Sequence, residues 1–241
     1  MKHDAQERAA LDAALARLGL DCSDKQKDLL LSHLKLVVEK NKELNLTRIT
    51  SFDDAIVLHV EDSLSLFGNF RQDEGEFCDI GTGAGFPGLT LGIVSGRHGV
   101  LLDSLKKKAA AVQMFIQKLG LDSQLEACGM RSEELALERP ASFQTVVARA
   151  VSSLAAVEEL ASPLLACKGH LLAMRGVESS DDEKMALRAS EKLGLKLVSA
   201  EKFTIGGGRY ERSVYIFEKV GEPIVKLPRR PGMAQKRPYG K

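Results

Sequence analysis

A chain of 241 residues, 44% of them hydrophobic, is long enough to enclose a sizeable core. Its 34 Lys and Arg against 33 Asp and Glu leave the net charge near zero, which excludes a bulk electrostatic claim on nucleic acid and leaves only local clusters to make one. No stretch approaches the roughly 18 apolar residues of a membrane span, and the charged residues after Met1-Lys2-His3-Asp4 leave no signal core, so a cytosolic protein with no membrane partner is expected.

Residues 4 to about 70 carry helical periodicity, with Leu11, Leu15 and Leu18 in one segment and Leu30, Leu34, Val37 and Val38 in the next. Ser23-Asp24-Lys25-Gln26 has the form of a capping box, and Ser51-Phe52-Asp53-Asp54 starts a further helix before Ile56, Val57 and Val60. His59 and Asp62, three apart on that helix, share a face and are placed to meet each other or to close over a pocket. Asn45 and Thr47, in the connection between residues 41 and 50, read as structural caps. The helical region is assigned to residues 1–72.

From Phe77 the texture changes to short apolar strands alternating with amphipathic helices, the pattern of a parallel sheet covered on both faces. Strands are predicted at 77–80, 99–103, 124–128, 144–149 and 169–175, with helices at 87–94, 104–119, 131–137, 152–166 and 181–193. The first strand stops at Asp79-Ile80 and runs into Gly81-Thr82-Gly83-Ala84-Gly85-Phe86-Pro87-Gly88. Glycines there let a backbone approach a ligand closely, and the second strand ends on Asp103, where a βαβ unit sets a carboxylate beside a ribose. Asp79 is placed to accept hydrogen bonds from the other end of such a ligand. An adenosine-containing cofactor is the expectation, bound by Asp79, Gly81, Gly83, Gly85 and Asp103.

Gly83-Ala84-Gly85-Phe86-Pro87-Gly88 also fits the dinucleotide fingerprint Gly-x-Gly-x-x-Gly, so an NAD(P)-linked oxidoreductase competes. The first glycine after the strand is Gly81, however, which would start that register two residues late. Further on, Leu195–Ile205 and Ser213–Lys219 are joined only by Gly206-Gly207-Gly208 and neighbours, a hairpin that makes the last strands antiparallel. A mostly parallel, Rossmann-like seven-stranded sheet with a terminal antiparallel hairpin resembles the class I methyltransferase sheet, which favours S-adenosyl-L-methionine as cofactor. This domain is assigned to residues 73–220.

Arg149 ends the apolar run Thr145-Val146-Val147-Ala148, where a buried guanidinium needs a partner: a ligand, or an acid such as Asp79 or Glu133. Cys22, Cys78, Cys128 and Cys167 stand singly, without metal-ligand spacing, so reduced thiols and no metal are expected. Residues 221–241 form a basic, Pro-rich tail that has six basic residues and no acid from Lys226 on; it reads as extended or disordered until bound. Arg229, Arg230, Lys236 and Arg237, spaced by prolines and joined by Tyr239, suit phosphate contacts and base stacking on folded RNA, though terminal charges are often merely solvated.

Taken in order, Asn45-Leu46-Thr47, His59-Val60-Glu61-Asp62-Ser63-Leu64, Asp79 to Gly88, Leu102-Asp103-Ser104-Leu105-Lys106-Lys107, Arg131-Ser132-Glu133-Glu134, Ala148-Arg149-Ala150 and Pro228-Arg229-Arg230-Pro231-Gly232 resemble the RsmG/GidB family of bacterial small-subunit rRNA guanine-N7 methyltransferases nearly end to end. The resemblance implies methylation of N7 of one guanine in the decoding-region loop of 16S rRNA, with free rRNA or the 30S subunit as partner; a monomer is the expected working form. It carries cofactor contacts onto Gly81, Phe86, Asp103, Ser132, Glu133 and Arg149, the acid after the third strand reaching the adenine edge. Arg175 stands where the family usually has lysine, and it is assigned to the substrate RNA; Lys108 stands where many members have arginine. The Pro-Cys pair of ring-carbon methylation and the Asn/Asp-Pro-Pro-aromatic loop of amine methylation are both absent, so no catalytic acid, base or nucleophile is nominated. A non-catalytic RNA-binding module that keeps the fold is the remaining alternative.

Overall fold

The computed structural model describes residues 4–49, 51–176 and 178–241. Two helices open the chain, α1 (Ala5–Arg17) and α2 (Asp24–Asn41). Ser23 and Gln26 form the expected capping box, the Ser23 hydroxyl accepting from the Gln26 amide (3.3 Å) and Gln26 Oε1 from the Ser23 amide (2.8 Å). After a loop held by Asn41, whose Oδ1 accepts from the amides of Leu46 and Thr47, Ser51 caps α3 (Phe52–Ala55). That helix widens into a π-helical turn, Ile56–Glu61, before α4 (Asp62–Leu64) and α5 (Phe67–Phe70).

The sheet domain follows: β1 (Phe77–Ile80), α6 (Gly88–Ser95), β2 (Gly99–Leu102), α7 (Lys106–Lys118), β3 (Leu125–Cys128), α8 (Ser132–Glu138), β4 (Phe143–Arg149), α9 (Leu154–Ala161), β5 (Leu165–Arg175), α10 (Ser180–Leu193), β6 (Leu195–Ile205) and β7 (Tyr210–Lys219). The seven strands lie in the order β3-β2-β1-β4-β5-β7-β6. The first five are parallel; β7 enters antiparallel between β5 and β6. This is the mostly parallel, Rossmann-like class I methyltransferase sheet with the terminal hairpin read from the glycine turn. The strand order reverses between β1 and β4, and open α/β sheets bind ligands outside the carboxyl ends at such a point.

Side chains alternate across the sheet with period two. Phe77, Leu101, Val147 and Leu172 face one core, which they share with Leu11, Leu30 and Leu34 of the first two helices and with Leu89 and Phe115. Cys78, Val100, Val146 and Leu171 face the other, under Leu135, Leu160 and Ala189. The N-terminal helices are thus built into a core of the sheet.

Two expectations are corrected. The helix placed at 152–166 stops at Ala161, and the fifth strand starts at Leu165, not 169. Pro163 cannot continue a helix, and Ser162, the last residue with helical dihedral angles, fastens its end by donating its hydroxyl to Leu193 O at 2.6 Å. The tail is also not loose. It docks on the domain and forms a single turn, α11 (Met233–Lys236), with Ala234 1% exposed. Among the described residues, no helix is long and apolar enough to cross a membrane, and no group of three or more His, Cys, Asp or Glu is placed to hold a metal ion.

Candidate active site

The glycine loop divides by what each glycine touches. A Cβ on Gly88 would lie 2.2 Å from Leu101 Cδ2 and 2.7 Å from Asp79 Cβ, and one on Gly85 would lie 2.9 Å from His33 Nε2, so these two serve packing. Gly83 opens into space, with no atom nearer than 3.9 Å to such a Cβ, while Gly81 lines a cleft but packs on Val151, whose Cγ2 would lie 2.7 Å from a Cβ there. Asp79 sits under the loop, fully buried; its Oδ2 accepts from the Gly88 amide at 2.8 Å and so fastens the start of α6 to β1. Burial pushes its carboxyl up to about 6, against the Thr82 hydroxyl and the Gly88 amide, which favour the charged form. In this geometry Asp79 supports the loop from beneath.

Asp103, at the end of β2, accepts from the Gly83 amide through Oδ2 (3.1 Å) and from the Leu105 amide through Oδ1 (2.8 Å). Each oxygen keeps a free lone pair. Beyond it lies a cleft of about 70 Å³ lined by Gly81, Leu102, Ser132, Glu133, Val151 and Gln235. Ser132 opens α8 and donates to Leu160 O at 3.0 Å, while Glu133 is 7% exposed. Backbone and carboxylate acceptors around an open glycine are the set that ribose hydroxyls and an adenine amine need. The exposed side chains of Ser104, Arg131 and Gln235 form a rim able to move aside, so the residues present fit S-adenosylmethionine.

Phe86 joins this loop to the N-terminal helices. Its ring is stacked between His33 and His59, with centroids 4.4 Å away on either side. His33 Nε2 donates to Ala84 O at 2.9 Å, and burial pushes its pKa down to about 4. His59 is pushed down to about 3 by burial, then by the charge of Arg149 and by His33. Both imidazoles are therefore neutral near pH 7. Arg149 faces His59 Nδ1, so His59 Nε2 is the donor to the Thr47 hydroxyl at 3.1 Å. Thr47 is a cap as expected, also accepting from the Ile49 amide, whereas Asn45 is exposed and the loop is held by Asn41.

Across β4 from the cleft is a second cavity of about 800 Å³, lined by His59, Asp62, Arg149, Arg175, Glu178 and Arg212 among others. Arg149 does not pair with Asp79 or Glu133. Its Nη1 donates to Asp62 Oδ2 (3.0 Å) and to Leu58 O (3.0 Å), both at the π-helical turn, while Arg212 Nε takes Asp62 Oδ1 (2.8 Å). π-turns gather at functional sites, and here one presents a carbonyl and a carboxylate to the same guanidinium. His59 and Asp62 therefore meet at Arg149 instead of at each other. Arg175 pairs with Glu178 and donates to Ser152 O. Three guanidiniums against two carboxylates leave this cavity with a positive excess. Val151 lines both cavities, and Ala150 before it takes φ 54°, a left-handed turn costly for a residue with a Cβ.

Of the tail residues, Arg230, Lys236 and Arg237 are exposed, whereas Arg229 is half-buried and gives Nε and Nη2 to Glu159 at 2.6 and 2.5 Å. Sequence reasoning missed His33, Arg212, Glu159 and Gln235. None of the four carried a local signal: Arg212, for one, stands in the polar run Glu211-Arg212-Ser213 of the hairpin.

The family described as rRNA small subunit methyltransferase G matches residues 26–213. A relative bearing that name from Lactobacillus helveticus is 33% identical over 222 residues, covering 90% of this chain and 92% of its own. Another, from Pelotomaculum thermopropionicum, is 35% identical over 225 residues, covering 92% and 94%. Among solved structures, the cyclase SpnF aligns with a TM-score of 0.53 at 13% identity, covering 74% of this chain and 84% of its own. The B. subtilis tRNA methyltransferase TrmK aligns with a TM-score of 0.51 at 13% identity, covering 66% of each. At such identity both speak for the fold alone; the matched span takes in the glycine loop, Asp103, Glu133, Arg149 and Arg212, and with the two relatives it places the chain in the rRNA small subunit methyltransferase G family, GidB.

Proposed function

We propose that the chain transfers a methyl group from S-adenosylmethionine to N7 of one guanine in the decoding-region loop of 16S rRNA. The observation that carries this reading is the pair of cavities meeting at Val151, one lined by Gly81, Ser132 and Glu133 next to Asp103, the other by Arg149, Arg175 and Arg212. When bound, S-adenosylmethionine supplies an electrophilic methyl group on a sulfonium. Asp103 would take the ribose hydroxyls on its free lone pairs, Glu133 the adenine edge, and Gly81 and Gly83 would let the backbone lie close. Phe86, clamped by two neutral imidazoles, fixes the loop.

Guanine N7 carries an exposed lone pair, so the chain has no proton to remove before transfer. Its work is positioning. Arg149, held by Asp62 and Leu58 O, would set the border between the two ligands, and Arg175 and Arg212 would face RNA phosphates around the target base. The exposed Arg230, Lys236 and Arg237 extend that basic edge on the tail.

The test is transfer of label from S-adenosylmethionine to unmodified 30S subunits, free 16S rRNA and 23S rRNA, followed by mapping of the modified base. Label on one 16S guanine, cleavable by aniline, is expected. Label elsewhere, or none despite cofactor binding, would remove the assignment.

A further inference from the structure

The adenosyl cleft has one wall that the sheet domain does not supply. Gln235, in the turn α11, lines it beside Ser132 and Glu133, and three residues earlier the Gly232 amide donates to Glu133 Oε1 at 2.9 Å. That bond leaves Oε2 as the oxygen free to meet a ligand. The segment carrying both residues is firmly seated. Arg229 grips Glu159, whose side chain is 3% exposed; its guanidinium lies 4.2 Å from the Tyr239 ring and donates to Arg237 O at 2.7 Å. At the far end Arg188 donates to Gly240 O at 2.8 Å, and Ala234 is buried between. A guanidinium set against a buried carboxylate is costly to undo, because it would leave the carboxylate unpaired. The backbone of the strap is thus fixed at both ends, while the Gln235 side chain is exposed and free to turn.

We propose that the C-terminal strap, residues 229–239, is part of the cofactor site: the Gly232 amide orients Glu133 toward the adenosyl group, and Gln235 closes over that group as a contact residue. This rests on the cofactor assignment made above. Glu159 and Arg229 then act as positioning residues for the cleft without reaching it. The strap's place in the cleft also gives a use to the neutral amide side chain of Gln235, which stands directly before Lys236 and Arg237.

The experiment measures binding of S-adenosylhomocysteine to the full chain by calorimetry, together with amide hydrogen exchange of residues 229–239 with and without that ligand. Gln235→Ala is expected to weaken binding about threefold to tenfold, and Arg229→Ala about tenfold although its side chain lies outside the cleft. The Gly232 amide and its neighbours are expected to exchange more slowly in the wild-type complex, a change that a merely structural strap would not show. Unchanged affinity in Gln235→Ala with unchanged exchange in the strap overturns the proposal, and since Gln235 is exposed that variant stays informative even where Arg229→Ala fails to fold. A wild-type chain that does not bind S-adenosylhomocysteine at all would instead sink the cofactor assignment on which the proposal stands.

Discussion

The two cavities either side of the β4 terminus are built by opposite means. The cofactor side at β1 to β3 uses backbone amides, glycines and two carboxylates, Glu133 in the cleft and Asp103 beside it, the latter pinned by the Gly83 and Leu105 amides. The wider cavity gathers guanidiniums from β4, β5 and β7, those of β4 and β7 held on Asp62 of the helical region and that of β5 on Glu178, so its geometry depends on elements far apart in the chain. The difference fits the ligands each would take. Neutral hydroxyls need acceptors in fixed places, while a folded polyanion needs positive charge with some reach.

Arg149 lines the basic cavity and lies 5.7 Å from the ring of Phe86 in the glycine loop, so removing it should break the comparison most severely. Arg149→Met is expected to lower kcat/KM for 30S methylation by about 100-fold, roughly 2.7 kcal/mol, with a measurable loss of S-adenosylhomocysteine affinity, as read by single-turnover transfer and calorimetry. An effect on RNA affinity alone would confine Arg149 to the basic cavity. Gly88→Ala tests the rigidity of the cofactor side: a Cβ 2.7 Å from Asp79 Cβ should cost about 1–3 kcal/mol in urea unfolding.

A pH series sharpens the contrast between buried neutral and buried acidic groups. His33, at about 4 when folded against an ordinary 6.5, leaves the unfolded chain binding the extra proton. Its contribution is complete above about pH 6.5 and lost as pH falls toward 4. Asp79, raised from 3.8 to about 6, runs the other way: its contribution is complete below 3.8 and lost as pH rises through 6. Near pH 5, His33→Phe should therefore reduce the upward slope of stability with pH by about 1.4 kcal/mol per pH unit, and Asp79→Asn should increase it by a similar amount. Thermal unfolding from pH 4 to 8 decides both. The smallest effect is expected from the triple variant Arg230→Ala, Lys236→Ala, Arg237→Ala, which should raise KM for 30S subunits a few-fold and flatten the salt dependence of binding. An unchanged salt slope would place the RNA contacts elsewhere.

The parallel strands, the closing hairpin, the capping box at Ser23 and the glycine loop were legible because each is written in a local pattern: an apolar run, a glycine cluster, a serine three residues before a glutamine. What escaped was set by contacts distant in sequence. Arg149 is 87 residues from Asp62, and nothing near either residue announces the other. Asp79 looked like a ligand contact because it ends a strand before glycines, but only the packing of α6 onto β1 turns its carboxylate inward. The tail's composition gave no core of its own; it borrows one, since Glu159 on α9 offers a buried charge that Arg229 satisfies. Within reach of local reading yet misjudged was Pro163, which cannot continue the helix, so that the helix ends five residues short of its expected end and the strand starts four residues early.

Glu61, on the π-helical turn, has consequences for how the molecule comes into being. Its side chain is 1% exposed; it grips Arg17 through both oxygens and also accepts the Gly206 amide, 145 residues later. During synthesis the helices emerge long before the hairpin that completes this network, so the helical region leaves the exit tunnel with one of the hydrogen bonds to Glu61 and one sheet edge unmade. Maturation of the nascent polypeptide is thereby deferred until nearly the whole chain is out, and prematurely terminated products ending before Gly206 would remain open to quality-control proteases.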